Sequence, residues 1–310
     1  MKKIILLAIL CIQGYLLLSQ KFDYETYTYY TDDSTALELD LFLPDSMSEE
    51  KACVIFIHGG GFSNGRRANG RPFCQFLSDQ GIAAASISYT LSMKGKSFSC
   101  DGIRTEKIRT IQLAAHQARI ATQWILDRQD SLDINGSHIF LAGSSAGAEA
   151  ALQAAYWDTS SANYFTNIPG NGFKYAGVIS GAGAILDINQ INEQTKIPTL
   201  CYHGTCDNLV PYYIAAHHYC PQIASGFMLM FGGFAIYERL NDLNETSQLM
   251  TYCGEGHQHA GTAFRAPESY NVLAFIKRVL AGEKFTIHRV FDNGEDCNLS
   301  LDFIHCFRGM

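Results

Sequence analysis

The sequence predicts an α/β fold built on a mostly parallel central sheet, and three observations carry that prediction. The segments "ACVIFI", "IAAASISY", "SHIFLAG", "YAGVIS", "IPTLCYHG" and "SQLMTYCG" are short, nearly continuous apolar runs. Strands covered on both faces read this way, whereas half-exposed strands alternate. Between the second and third runs lies "EKIRTIQLAAHQARIATQWILDR", in which Ile108, Ile111, Leu113, Ala115, Ile120, Trp124 and Ile125 recur at helical spacing. Strand and helix therefore alternate, which is the α/β pattern. With 310 residues, 47% of them hydrophobic, the chain can bury one large core, and a single main domain is expected.

Taken in order, the chain opens with "MKKIILLAILCIQGYLLLSQ", where Lys2 and Lys3 precede an apolar stretch that Gln13 and Gly14 interrupt before Ser19. That is the order of a secretory signal, so residues 1–20 are expected to be a leader and the chain to be secreted or periplasmic. The run is too short and broken to span a bilayer, which takes roughly 20 apolar residues, so no stable membrane anchor is expected after cleavage. Cys11 does not read as a lipidation site, because Leu10 stands where a small residue should precede it. Residues 22–43, rich in Tyr, Thr and Leu, predict an antiparallel strand pair turning at Asp32 and Asp33. "PESYNVLAFIKRVLA", residues 267–281, opens with proline and spaces Tyr270, Leu273, Ala274 and Ile276 helically, so it reads as a closing helix. Residues 21–284 are thus the expected catalytic domain. Residues 285–310, with a turn signal at Asn293 and Gly294, are set apart as an extension of unassigned role in which a small hairpin is conceivable.

Charged residues make up only 17% of the chain and the net charge is −7, which offers no electrostatic basis for a nucleic-acid partner. A small, neutral or weakly polar substrate fits better. Nine cysteines lie beyond the leader. Cys74 with Cys100, Cys206 with Cys220, and Cys297 with Cys306 are expected loop disulfides in an exported chain, while Cys53, Cys201 and Cys253 sit in apolar runs and read as buried thiols. "HQH" and "AHH" are histidine pairs, but no H-E-x-x-H run or zinc-type cysteine spacing accompanies them. No G-x-G-x-x-G opens a helix, so neither a metal nor another cofactor is expected.

Chemistry concentrates in four places. In "GSSAG" only Ser145 has glycine two before and two after it, the frame that lets a strand-to-helix turn project a side chain; Ser144 is the variable position. A serine hydroxyl needs a base, a group to orient that base, and donors for an oxyanion. "VIFIHGGGF" supplies His58 and three consecutive glycines, Gly59 to Gly61, whose backbone N–H groups can converge on one spot; His58 itself reads as structural. "IPTLCYHGTCDNLVP" places Asp207 in a loop after a strand, where α/β sheets present functional groups. "LMTYCGEGHQHAG" offers His257 and His259 at another strand end, with His257 favoured as base because it directly follows the glycine pair.

These motifs, H-G-G-G-F, G-S-S-A-G, H-G-T-C-D-N-L-V-P and G-E-G-H in that order, resemble the α/β-hydrolases of the esterase and lipase kind, near the hormone-sensitive-lipase-like and carboxylesterase groups. The resemblance covers roughly residues 38–280 and includes "SISYTLS". It implies an α/β-hydrolase fold with helices on both sheet faces and an antiparallel N-terminal strand pair. It further implies Ser145 as nucleophile, His257 as base, Asp207 as its orienting acid, and the amides of Gly60, Gly61 and Ala146 as oxyanion hole. The expected activity is hydrolysis of a small-molecule carboxylic ester through an acyl-enzyme, an acylated saccharide being one candidate substrate. An amidase or peptidase on the same triad, and a hydrolase-fold binding module without catalysis, are the rivals.

Some features depart from that pattern or stay open. Glu149 falls one helical turn beyond Ser145 on the same face, and is either a buried carboxylate tied to a neighbouring donor or a group that tunes the pocket. Residues 212–235 are long for a connection and either form part of an acyl pocket or pack on the core. Residues 156–174, with Trp157, Tyr164 and Phe165, stand where a cap would be inserted. The three arginines of "FSNGRRANGRPF" form either a solvated loop or a rim for a polar ester.

Overall fold

The computed structural model describes residues 22–33, 35–157, 168–170, 172–292 and 306. Strands β1 (Glu25–Thr31) and β2 (Ala36–Phe42) form the antiparallel pair, closed by Asp32, whose carboxylate accepts the Thr35 amide at 2.7 Å. Then follow β3 (Cys53–Ile57), helix α1 (Arg71–Ser78), β4 (Ala83–Ile87), α2 (Arg104–Leu126), β5 (Ile139–Ser144), α3 (Ala146–Tyr156) and β6 (Gly177–Gly181). After a short β7 (Ala184–Ile185) come β8 (Thr199–Gly204), β9 (Ile214–Ala216), β10 (Leu229–Gly232), α4 (Gly233–Asp242), β11 (Ser247–Cys253), α5 (Glu268–Leu280) and β12 (Thr286–Asp292).

The nine-stranded sheet has the order β1-β2-β4-β3-β5-β6-β8-β11-β12. It is antiparallel from β1 to β4 and parallel from there to β12. Side chains alternate across a strand, so each central strand feeds two cores. Cys53, Ile55 and Ile57 of β3 join a cluster with Ala114, Ala118 and Ile125 of α2, while Val54 and Phe56 join Phe73 of α1 and Phe275 of α5 on the other face. Helices cover both faces, which is why these strands read as unbroken apolar runs. Residues 212–235 hold β9 and β10; β10 pairs with both β7 and β9 in a small antiparallel sheet and leads into α4.

The tail does not stand apart. Residues 286–292 pair in parallel with β11 as the edge strand of the main sheet, and the turn expected at Asn293 and Gly294 lies outside the described residues, as do the expected leader, residues 1–20, and Tyr164 and Phe165. Trp157 packs at the border of the α2 and α3 core.

The expected cysteine pairing is corrected. Cys100 bonds Cys220 across 120 residues of sequence, and Cys306 bonds Cys253 at the end of β11. Cys206 is also disulfide-bonded. Cys74 is a buried thiol alongside Cys53 and Cys201, because α1 turns it into the core beneath the opposite sheet face from α2. Nearness along the chain misled here, since the strand order brings distant loops together. Two arginines of residues 62–73 also have a different task from rim contact: Arg67 and Arg71 each place Nε 2.8 Å from a carboxylate oxygen of Asp40, which is fully buried in β2.

Candidate active site

The site is assembled at the carboxyl ends of β3, β5, β8 and β11, where the parallel strands all point the same way. Ser145 stands alone between β5 and α3 with φ +54°, a conformation that costs a non-glycine residue of order 1 kcal/mol or more and that the surroundings must enforce. Its amide donates to the Gly181 carbonyl at 2.7 Å, which pins the turn to the neighbouring strand. Gly147 is required by close approach, since a Cβ there would sit 2.1 Å from the Ile57 carbonyl oxygen. This elbow lifts the Ser145 side chain free of the sheet.

Ser145 Oγ is 2.7 Å from Nε2 of His257, the first residue of a 3-10 turn (His257–Phe264) that follows β11. Nδ1 of the same ring is 2.7 Å from Oδ2 of Asp207. His259 is turned away. Its ring stacks on Tyr252 with centroids 3.8 Å apart, and its Nδ1 faces Thr262 at 3.1 Å.

Asp207 is fully buried, and Oδ1 accepts the amides of Leu209 and Val210, each at 2.9 Å. His203 of β8 approaches Oδ2 at 3.4 Å. Its Nδ1 accepts from the Gly233 amide, so Nε2 carries the proton and points at both Asp207 and the Val210 carbonyl. Burial alone would raise the Asp207 pKa, but hydrogen bonds and charge from His203 and His257 outweigh it and hold the carboxyl well below the usual carboxylate range. The carboxylate is therefore ionised at neutral pH and keeps the Nδ1 proton of His257 facing it. Sequence reasoning missed His203, although its place four residues before Asp207 in "HGTCD" was a usable signal.

The glycine run after β3 forms the facing wall. Gly60 has φ +125° and a Cβ on it would meet the Asn64 carbonyl at 2.2 Å, so only glycine closes this turn. His58 is buried beneath it, stacked on Tyr89 at 4.5 Å, with Nδ1 2.8 Å from the Gly59 carbonyl. Tyr89, from the "SISYTLS" segment, donates to the His58 carbonyl at 2.9 Å. Burial lowers the His58 pKa, partly opposed by the Gly59 contact, so the ring serves as a neutral brace.

Gly60, Gly61, Ser145, Ala146 and His257 line one cavity of about 750 Å³. Phe56, Phe73 and Phe264, with ring centroids 4.9–5.8 Å apart and Phe264 edge to face with the other two, form an aromatic cluster in it. Lys96, Phe98, Glu149, His217 and His218 line the same cavity. The last two come from the turn after β9, in the "AHH" segment whose place in the cavity the sequence did not disclose. Among the described residues, no group of three or more His, Cys, Asp or Glu is set to hold a metal ion, and no helix is long and apolar enough to cross a membrane.

The arrangement can carry out nucleophilic acyl transfer: a hydroxyl on a strained turn, a base within hydrogen-bond reach, an ionised acid behind it, and backbone amides opposite. The BD-FAE family model matches residues 39–197, just over half of the chain. Among solved structures, the native esterase Est2 of the planctomycete Thermogutta terrifontis is similar at TM-score 0.57 and 17% identity, over 84% of this chain and 92% of that one. The same esterase phosphoramylated by tabun is similar at TM-score 0.55 and 17% identity, over 84% and 94%. At that identity the likeness speaks for the fold. No curated protein matches the sequence.

Proposed function

The chain belongs to the BD-FAE family, an α/β-hydrolase esterase family, and from that premise we propose that it is an exported serine esterase working through Ser145, His257 and Asp207. The single observation that supports this best is the unbroken relay from Ser145 Oγ to His257 to Asp207, with 2.7 Å at both contacts. His257 Nε2 takes the Ser145 proton as Oγ attacks the ester carbonyl. The amides of Gly60, Gly61 and Ala146 bind the oxyanion, and Asp207 stabilises the imidazolium. His257 then returns the proton to the departing alcohol, leaving an acyl-Ser145. Water attacks that acyl group with His257 again as base, which releases the carboxylic acid and restores the hydroxyl.

The substrate of this reading is a small carboxylic ester, with an acylated saccharide as a candidate because polar side chains such as Ser63, Asn69 and Lys96 are among those lining the cavity. Export is supported by the disulfides, which persist in oxidising compartments. The test is a panel of short p-nitrophenyl esters beside aminoacyl amides, run with the wild type, Ser145→Ala and Ser144→Ala. Ester turnover that Ser145→Ala abolishes and Ser144→Ala largely keeps is the expected result. Amide turnover without ester turnover would favour a peptidase, and failure of a fluorophosphonate to label the folded protein would favour a binding module.

A further inference from the structure

The 3-10 turn that begins at His257 brings a cation to the catalytic cavity. Ala260, Gly261, Phe264 and Arg265 all line it, and Arg265, directly after the turn, is the one arginine among the lining residues. Its backbone is fixed, the amide donating to the Thr262 carbonyl at 3.3 Å and the carbonyl accepting from the Ser269 amide at 2.9 Å. Its exposed side chain folds back over Gly261, with Nη2, Cζ and Nε 3.7, 3.8 and 3.9 Å from where a Cβ on that residue would stand. Three nearly equal distances put the guanidinium plane face on to the glycine, so the N–H groups, which lie in that plane, point past it.

Nothing in the protein takes those donors. Among the described residues, no carboxylate or carbonyl meets the Arg265 guanidinium. The other charged side chains of the lining are matched: Lys96 meets Glu106 at 3.1 Å, and Glu149 meets His217 at 3.0 Å with Lys107 close enough to feel its charge. The chain as a whole carries −7, so its long-range field turns anions away. An uncompensated guanidinium at the cavity reverses that sign locally. A single planar fork of donors matches a carboxylate, which it can hold by two parallel hydrogen bonds. A 3-10 turn rises about 2 Å per residue, so Gly261 stands on the order of 8 Å from His257 along it. A carboxylate held there is remote from the scissile carbonyl and belongs to the far end of a substrate.

Resting on the esterase reading, we propose that Arg265 is a specificity-determining residue that selects esters carrying a carboxylate remote from the ester group. The carboxylate can belong to the acyl part or to the alcohol, and paired substrates separate the two sources. The first pair is p-nitrophenyl hydrogen adipate against p-nitrophenyl 5-carbamoylpentanoate. The second is 4-acetoxybenzoate against 4-acetoxybenzamide. In each pair an uncharged amide replaces the carboxylate at nearly equal size.

The ratio of kcat/KM, charged member over neutral member, is expected to be about fivefold higher in the wild type than in Arg265→Gln for one pair, with the difference carried by KM. In about 1 M NaCl, where charges are screened beyond about 3 Å, the wild-type ratio is expected to fall toward that of the variant. Because each ratio is taken within one preparation, it does not depend on how much of the variant folds. Ratios that are equal in the wild type and Arg265→Gln for both pairs overturn the inference alone, and so does a wild-type ratio that salt leaves unchanged. Turnover of none of the four esters overturns it too, and if a fluorophosphonate also fails to label Ser145, the esterase reading falls with it.

Discussion

Nδ1 of His257 lies 2.7 Å from Oδ2 of Asp207, while Oδ1 of the same carboxylate is held by the amides of Leu209 and Val210. The Asp207 carboxylate is thus fixed from one side by backbone and turns its other oxygen to the His257 ring. Asp207→Asn keeps the shape but puts an amide N–H toward Nδ1, which favours the wrong imidazole tautomer. kcat is expected to fall by about 10³- to 10⁴-fold with KM little changed. Steady-state kinetics on a p-nitrophenyl ester check this, and a loss below about tenfold would remove Asp207 from its role.

Asp40 shows what the arginines of residues 62–73 do. It is fully buried and meets both Arg67 and Arg71 at 2.8 Å, with Thr26 donating to it as well. Asp40→Ala removes the shared carboxylate from two guanidinium groups that are each about a quarter exposed, Arg67 keeping Glu38 at 2.8 Å, and is expected to cost about 1–3 kcal/mol. Urea denaturation monitored by circular dichroism measures it, and a change under 1 kcal/mol would mean the pair is as weak as an exposed one.

The Cys100–Cys220 bridge closes 120 residues of chain and anchors the turn that carries His217 and His218. Replacing both cysteines by serine releases that loop in the unfolded state, and a loss of about 2–5 kcal/mol is expected. The substitution is also expected to raise KM more than it lowers kcat, because the bridge holds a cavity wall and not the triad. Unchanged stability in a denaturation series would argue against the bridge forming in the folded protein.

Acid should weaken the fold before the carboxylates titrate. Burial is the largest cause pulling the pKa of His116 and of His218 down to about 4; Arg119 adds to it at His116, and His217, Lys107 and His257 add to it at His218. In the unfolded chain the same groups titrate near 6.5, so between about 6.5 and 4 the unfolded state binds protons that the folded state refuses. Stability is therefore expected to decline as pH falls through that window, and the histidine contribution to level off below it. Thermal midpoints at closely spaced pH values test the slope, and His116→Gln should flatten it; a midpoint that rises on acidification would contradict the assignment.

Much of the fold was legible because its signals are local. Strands buried on both faces leave apolar runs, and the Ser145 elbow leaves a glycine frame, since Gly147 must clear a backbone oxygen whatever else the chain does. The glycine loop after β3 was readable for the same reason at Gly60. Contacts between segments far apart in sequence left no such trace. His203 showed only as the first residue of "HGTCD", His217 only as one of a histidine pair, and Glu149 was ambiguous until its partner was known.

The sequence by itself determined the α/β class, the order of the strands along the chain and the glycine frame that sets Ser145 apart from Ser144, all of which depend on residues within a few positions of one another. Only the tertiary structure decided that His257 faces Ser145 while His259 stacks on Tyr252, that Cys100 meets Cys220 and Cys253 meets Cys306, and that the tail adds a ninth strand to the sheet. The physical reason is the sheet order. Strands that are neighbours in space are not neighbours in sequence, so every pairing across loops is set by how the sheet is wound and by which face each helix covers.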